Sequence, residues 1–308
     1  MIFPDALKRG DKIAFFSPAS VVKDNYVFTA IERVAARGYH PVLMPHALGP
    51  HEGSFAASKP NRLCDFVDAL QDKSIKAIMA TRGGYGCCQL LANIPFSLVR
   101  SNPKWLIGFS DISALIALWI KSDVAAIHGP MCKHLATMPE DDFATESLFN
   151  ILETGGRFNY FTKPHPYNIY GSSSAILIGG NMAVLNELAD TPCDILRDCC
   201  DKDIILFFED IAEPIYKVNR MLWRLLLAGI LDNVKGLIFG QFTEYHPDAN
   251  FTSMEEMIHS FIQKNLPFTP FPVAFDFPVG HIDSNFPLTV GARVEFEVSE
   301  SGVSLKTV

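Results

Sequence analysis

The feature that most restricts the fold is an alternation, sustained over the first half of the chain, between short apolar runs and segments of helical periodicity. Lys12 to Phe16 is apolar after its first residue, and Asn25 to Arg37 follows with Val27, Ile31 and Val34 on one face. An unbroken apolar run reads as a strand covered on both sides, and an apolar stripe at three- and four-residue spacing reads as a helix lying against it. The pattern returns at once. Pro41 to Met44 is a second strand, and Asn61 can cap a helix in which Leu63, Phe66, Val67 and Leu70 fall on one face. Ile75 to Ala80 is a third strand, the Gly-rich turn Arg82 to Gly86 opens a further helix, and Trp105 to Phe109 feeds the helical stretch Asp111 to Lys121. Strands that alternate with helices predict an α/β domain on a doubly wound parallel sheet, flavodoxin-like or Rossmann-like, with helices on both faces.

From about Gly155 to Ser174 no apolar period survives, and Gly155-Gly156, Pro164, Pro166 and three consecutive serines punctuate the stretch. The expected organisation is therefore an N-terminal domain over 1–155, a linker over 156–174 and a C-terminal domain over 175–308. In the last of these, strand candidates at Ala175 to Ile178, Ile204 to Phe208, Lys235 to Phe239, Val273 to Phe275, Arg293 to Val298 and Val303 to Lys306 outnumber helices. That predicts a mixed, strand-rich α/β domain. Its clearest helix opens at Ser253, where Ser-x-x-Glu256 is a capping box ahead of Met257, Ile258, Phe261 and Ile262.

Composition excludes several classes of function. With 308 residues and 48% hydrophobic content the chain can bury a large core. A net charge of −8 and the absence of any long Lys/Arg run argue against nucleic acid as a partner. No window reaches the roughly 18 uncharged apolar residues of a membrane span; the longest candidates, around Leu115 and Leu226, are interrupted by charge. The first twenty residues lack the basic start, apolar centre and small-residue cleavage site of a signal peptide. Seven cysteines, an odd number that includes the neighbours Cys87/Cys88 and Cys199/Cys200, fit a reducing compartment better than a disulfide framework. The expected location is the cytoplasm.

Four places can carry chemistry. In Leu106-Ile107-Gly108-Phe109-Ser110-Asp111 an apolar strand stops at a serine and a helix begins directly after it. Such a turn lifts a side chain out of the sheet and aims helix N-terminal amides at whatever is attached to it, although the G-x-S-x-G spacing is absent. The alternative is that Ser110 or Asp111 merely caps the helix. Thr81-Arg82-Gly83-Gly84-Tyr85-Gly86 also follows a buried strand, and its glycines let backbone amides approach a ligand; it is neither a Walker loop nor a G-x-G-x-x-G fingerprint. Ile204 to Phe208 ends abruptly in Glu209-Asp210, either a solvated strand end or a placed acid. Phe277-Pro278-Val279-Gly280-His281 sets one of nine histidines in a punctuated loop. His128, Cys132 and His134 lie close together but lack the spacing of a metal site, so no metal is expected.

Taken together and in order, these places resemble the LD-carboxypeptidase family of serine peptidases, which also holds the microcin C self-immunity peptidases. The resemblance runs nearly end to end: Gly10-Asp11-Lys12-Ile13 with Ser17-Pro18-Ala19, the Arg82 to Gly86 turn, Ile107 to Asp111, Gly179-Gly180-Asn181, Leu206 to Asp210, and Gly280-His281 with Asn285. It implies a Ser-Glu-His triad of Ser110, Glu209 and His281, with the serine on the N-terminal domain and its partners on the C-terminal one. It further implies an oxyanion hole from the backbone N–H groups of Gly84 and Asp111, and no metal or organic cofactor. Arg82 and Tyr85 are candidate substrate contacts, Arg82 because a guanidinium pairs with a carboxylate, although it could equally brace the turn. The implied substrate is a murein tetrapeptide, cleaved at the L,D bond that releases terminal D-alanine in cell-wall recycling, and the implied assembly is a homodimer. Two alternatives remain at this point: a peptidase of the immunity type acting on a peptidyl-nucleotide or other amide, and a two-domain binding protein without catalysis.

Overall fold

The structure, a computed structural model, describes residues 1–198, 202–266 and 271–308, so that the Cys199/Cys200 pair lies outside the described residues. The first twelve elements are β1 (Lys12–Phe16), α1 (Asp24–Ala36), β2 (His40–Leu43), α2 (Lys59–Gln71), β3 (Ile75–Ala80), α3 (Cys88–Leu91), α4 (Phe96–Ser101), β4 (Trp105–Gly108), α5 (Ser113–Lys121), β5 (Ala126–His128), α6 (Cys132–Thr137) and α7 (Phe143–Glu153). There follow β6 (Asn159–Thr162), β7 (Gly171–Asn181), α8 (Met182–Glu187), β8 (Ile204–Ile211), α9 (Ile215–Leu227), β9 (Val234–Thr243), α10 (Met254–Asn265), β10 (Val273–Ala274), β11 (Leu288–Val290), β12 (Arg293–Ser299) and β13 (Gly302–Thr307). The chain forms two compact units: Met1–Arg157 with Asp283–Gly291, and Phe158–Ile282 with Ala292–Val308.

The first unit holds a six-stranded sheet in the order β11-β5-β4-β3-β1-β2. Its five strands β1 to β5 are parallel, in the flavodoxin-like order 2-1-3-4-5, as the strand-helix alternation predicts. β11 adds an antiparallel edge from a distant part of the chain, pairing Leu288 with His128. The apolar runs explain the strands: in β3 every residue but Lys76 is buried, and in β4 all four are. α5 is buried through seven consecutive residues, Ser113 to Trp119, and Trp119 packs edge-on against Phe66 of α2 while its indole N–H donates to the Lys104 carbonyl at 2.9 Å. One cap differs from expectation. α2 is capped by the Ser58 hydroxyl, which accepts from the Asn61 amide, because Pro60 tolerates the first turn and the helix starts before Asn61.

The second unit holds a seven-stranded mixed sheet, β10-β9-β8-β7-β12-β13-β6, parallel from β10 to β7 and antiparallel from β7 to β6. The pattern changes within β7. Its first residues, Gly171 to Ser174, alternate between half-buried and exposed and pair with β12, whereas Leu177 to Asn181 are buried and pair with β8. The serine run read as irregular is thus the polar half of a strand, and Asn159–Thr162 within the same stretch forms β6. β8 is buried from Ile204 through Asp210, so Glu209 and Asp210 lie inside the strand and not beyond its end. At α10 the Ser253 hydroxyl accepts from the Glu256 amide at 3.1 Å, and the reciprocal bond is shifted by one residue, the Glu256 carboxylate accepting from the Thr252 amide at 2.8 Å.

Candidate active site

In the first unit the chemistry-bearing loops leave the C-terminal ends of the parallel strands, the edge at which open α/β sheets bind ligands. β4 ends at Gly108, and Ser110 follows with φ +64°, a left-handed conformation that a serine adopts only at a local energetic cost. A single 3-10 turn over Ser110–Ile112 then leads into α5. Neither Ser110 nor Asp111 caps that helix: its N-cap is Ile112, with no side-chain bond. Within its own unit the Ser110 hydroxyl makes no hydrogen bond among the described residues. The Asp111 carboxylate instead accepts from the Cys87 amide at 2.9 Å, tying this turn to the Gly-rich one, and burial pushes its carboxyl up from the ordinary aspartate range.

The two turns touch. A Cβ on Gly83 would lie 3.0 Å from the Ser110 Cβ and 3.3 Å from the Asp111 amide nitrogen, so any side chain there would press the two turns apart. Gly84 has φ +104°, and the site of its missing Cβ is occupied by the Ser20 hydroxyl, 2.2 Å away. That hydroxyl accepts from the Tyr85 amide at 3.2 Å, while the Ser20 amide donates to the Gly83 carbonyl. Arg82 braces the turn: its guanidinium donates to the Val21 carbonyl at 2.7 Å. Tyr85 is 56% exposed, packs on Phe55 and accepts from the Ser54 hydroxyl.

The second unit brings Glu209 and His281 together. Glu209 is fully buried, and its Oε2 lies 2.7 Å from Nδ1 of His281, whose side chain is 15% exposed. The pairing of β8 with β9 shifts register between Phe208 and Asp210, opposite Gly240 and Gln241. The histidine loop docks on that irregularity through Gln241 N–H to the Val279 carbonyl and Phe277 N–H to the Phe239 carbonyl. Gly280, at φ +127°, leaves room for the acid: a Cβ there would lie 3.0 Å from Glu209 Oε2.

Sequence reasoning assigned no role to Asp210, Asn181, Ser20 or Arg62. Asp210 is buried, and its carboxyl accepts from the Asn181 side-chain amide, the Ala183 amide and the Ile211 amide, while Asn181 itself caps α8. The only sequence signal was the adjacency of Glu209-Asp210 and the Gly179-Gly180-Asn181 run. Burial, reinforced by the neighbouring Glu209 charge, pushes the Asp210 carboxyl up from 3.8 to about 7. The folded protein therefore holds a proton at Asp210 that the unfolded chain has lost, and the stability this contributes is complete below about pH 4 and disappears as pH rises through about 7. Melting temperatures of wild type and Asp210→Asn across this window are expected to converge or cross as pH rises; a difference that stays constant with pH would remove this assignment.

Among the described residues no three His, Cys, Asp or Glu side chains gather into a metal site, and no helix is long and apolar enough to cross a membrane. Of the cluster His128, Cys132 and His134, His134 pairs with Asp142 at 2.9 Å and Cys132 is a buried thiol.

Both halves of the chain match known proteins. Residues 13–129 match the LD-carboxypeptidase N-terminal domain and residues 174–296 match the LD-carboxypeptidase C-terminal domain. The chain is 28% identical over 302 residues to a probable murein peptide carboxypeptidase of Bacillus subtilis, covering 96% of this chain and 92% of the relative. It is 29% identical over 250 residues to the murein tetrapeptide carboxypeptidase of Pseudomonas aeruginosa, covering 76% and 77%. The crystal structure of muramoyltetrapeptide carboxypeptidase from Oxalobacter formigenes superposes with a TM-score of 0.85 at 27% identity, covering 96% of this chain and 98% of that one. With both domains matched in order and the two-sheet architecture shared, the chain belongs to the LD-carboxypeptidase family.

Proposed function

We propose that the protein is a serine carboxypeptidase that hydrolyses the L,D-peptide bond of a murein tetrapeptide and releases its terminal D-alanine, with Ser110, His281 and Glu209 as nucleophile, general base and orienting acid. The observation that carries this reading is the buried Glu209 carboxylate on Nδ1 of His281. Held this way, the imidazole donates Nδ1–H to the carboxylate and keeps the Nε2 lone pair for a proton. Ser110 adds the nucleophile, presented at a strained turn without a structural bond in its unit.

The reaction then runs in two halves. Nε2 of His281 takes the Ser110 proton as Oγ bonds to the scissile carbonyl carbon, and the resulting imidazolium is stabilised by Glu209. The tetrahedral oxygen carries the negative charge toward the amides of Gly84 and Asp111, and the protonated imidazole returns its proton to the departing D-alanine nitrogen as the C–N bond breaks. Water, deprotonated by the same nitrogen, then adds to the acyl-serine carbonyl; the ester C–O bond breaks, the imidazolium returns the proton to Ser110 Oγ, and the shortened peptide leaves with a free carboxyl group. Arg82 and Tyr85, on the rim of the Gly-rich turn, are assigned to the substrate's polar groups; the bond from Arg82 to Val21 leaves further guanidinium N–H groups for that role. The reaction belongs to cell-wall recycling in this reading.

The test is D-alanine release by the purified protein from two tetrapeptides that differ only in the configuration at the penultimate centre. Release from the L,D-linked peptide and little from the D,D-linked one is the expected result. No release from the L,D peptide, or equal release from both, would overturn the substrate assignment.

A further inference from the structure

Arg62, in the first turn of α2, is 2% exposed and has no carboxylate within ion-pairing distance among the described residues. Buried charges are ordinarily paired, and a cation kept without a counter-ion demands an explanation. Its partners are neutral. Nε donates to the Ala57 carbonyl at 3.0 Å, Nη1 to the carbonyls of Pro18 and Gly86, and Nη2 to the Gln89 side chain at 2.6 Å. The guanidinium also lies over the Phe55 ring, 4.7 Å from its centre.

These acceptors join three loops at one edge of the sheet: the β1 loop through Pro18, the β2 loop through Ala57 and the β3 loop through Gly86. The contact with Gly86 is close, since a Cβ there, at φ +136°, would lie 2.9 Å from Nη1. The turn at 83–86 is thus gripped from two sides, by Ser20 at Gly83 and Tyr85 and by Arg62 at Gly86. A planar fork of five donors on three nitrogens can serve carbonyls more widely separated than the single nitrogen of a lysine can reach. Because no anion neutralises it directly, its charge also biases the adjoining turn toward negative charge. Burial lowers the guanidinium's proton affinity, with the more distant carboxylates of Glu52 and Asp111 opposing.

We propose that Arg62 is a positioning residue for the peptidase reaction: its buried guanidinium holds the Gly-rich turn so that the Gly84 amide meets the negative oxygen of the tetrahedral intermediate. This rests on the function proposed above. The oxygen bears its charge only during the reaction, so the loss should fall on kcat and not on KM.

The experiment measures kcat and KM on the L,D-linked tetrapeptide for wild type, Arg62→Lys, Arg62→Met and Ser110→Ala, with near-UV circular dichroism and melting curves to give the folded fraction. Per folded molecule, Arg62→Lys is expected to lose about tenfold in kcat and Arg62→Met about a hundredfold, with KM within about threefold of wild type. A merely structural role would lower the melting temperature and leave kcat of the folded fraction unchanged, and that outcome overturns the proposal. If Arg62→Met does not fold, Arg62→Lys decides alone, wild-type kcat counting against. Failure of the two readings is separable. An active Ser110→Ala removes the serine mechanism and Arg62's role with it, whereas an inactive Ser110→Ala beside fully active Arg62 variants removes only the role of Arg62.

Discussion

Ser110→Ala is expected to yield a protein that folds and melts like wild type and releases D-alanine from the tetrapeptide on the order of 10⁴ to 10⁶ times more slowly. The stability half of this expectation follows from the local structure. Ser110 sits at φ +64°, where serine and alanine suffer the same backbone strain, and within its unit the hydroxyl makes no hydrogen bond whose loss would be felt. The Cβ that packs against Gly83, at 3.0 Å from that residue's Cβ position, is retained. The activity half follows from chemistry. With the nucleophile gone, donors and binding contacts alone give only residual acceleration over water. Steady-state kinetics on protein verified by its melting curve would check both halves, and retention of more than about a hundredth of wild-type kcat would sink the nucleophile assignment.

Glu209→Gln should be nearly as damaging, lowering kcat by about 10³ to 10⁴ with KM little changed. The substitution is isosteric and removes a charge from a fully buried site, so no loss of stability is expected from it. What changes is the partner of Nδ1. A carboxylate can only accept from that nitrogen, whereas a glutamine amide can donate to it, which favours the tautomer with its proton on Nε2 and leaves no lone pair to receive the serine proton. The imidazolium formed in the transition state loses its counter-charge as well. Wild-type kcat in Glu209→Gln would mean that the 2.7 Å bond between Glu209 and His281 serves the fold alone.

The strands whose residues are all apolar were legible from the sequence because both faces of a parallel strand are covered and the run needs no period. β3 and the start of β8 fall at the predicted positions. Short or one-sided elements were not. β5 has three residues and α3 four, too few for any periodicity, and the polar half of β7 has the composition of a loop because that part of the sheet is partly solvated. β8 runs on past Phe208 for a different reason: a carboxylate usually marks the edge of burial, yet here Asn181 and two backbone amides satisfy Asp210, and His281 pairs with Glu209, inside the sheet. Ser110, Glu209 and His281 could be proposed as site residues from the order of motifs along the chain and the family resemblance that order carries. Arg62 could not, because its meaning lies in Pro18, Ala57, Gly86 and Gln89, acceptors that no spacing rule connects to one arginine.

The antiparallel strand β11 has a consequence for biosynthesis. Residues 283–291 return to the first unit after the second has been almost wholly traversed. During translation the nascent first sheet therefore waits, with the Ala126–His128 strand uncapped, until Leu288–Val290 leaves the ribosome. An uncapped strand offers unpaired N–H and C=O groups to other chains, so the interval is one of exposure to aggregation. The same threading means that no single cut between the units yields two intact halves: a fragment stopped at Arg157 carries every parallel strand of its sheet and lacks the one that closes its border.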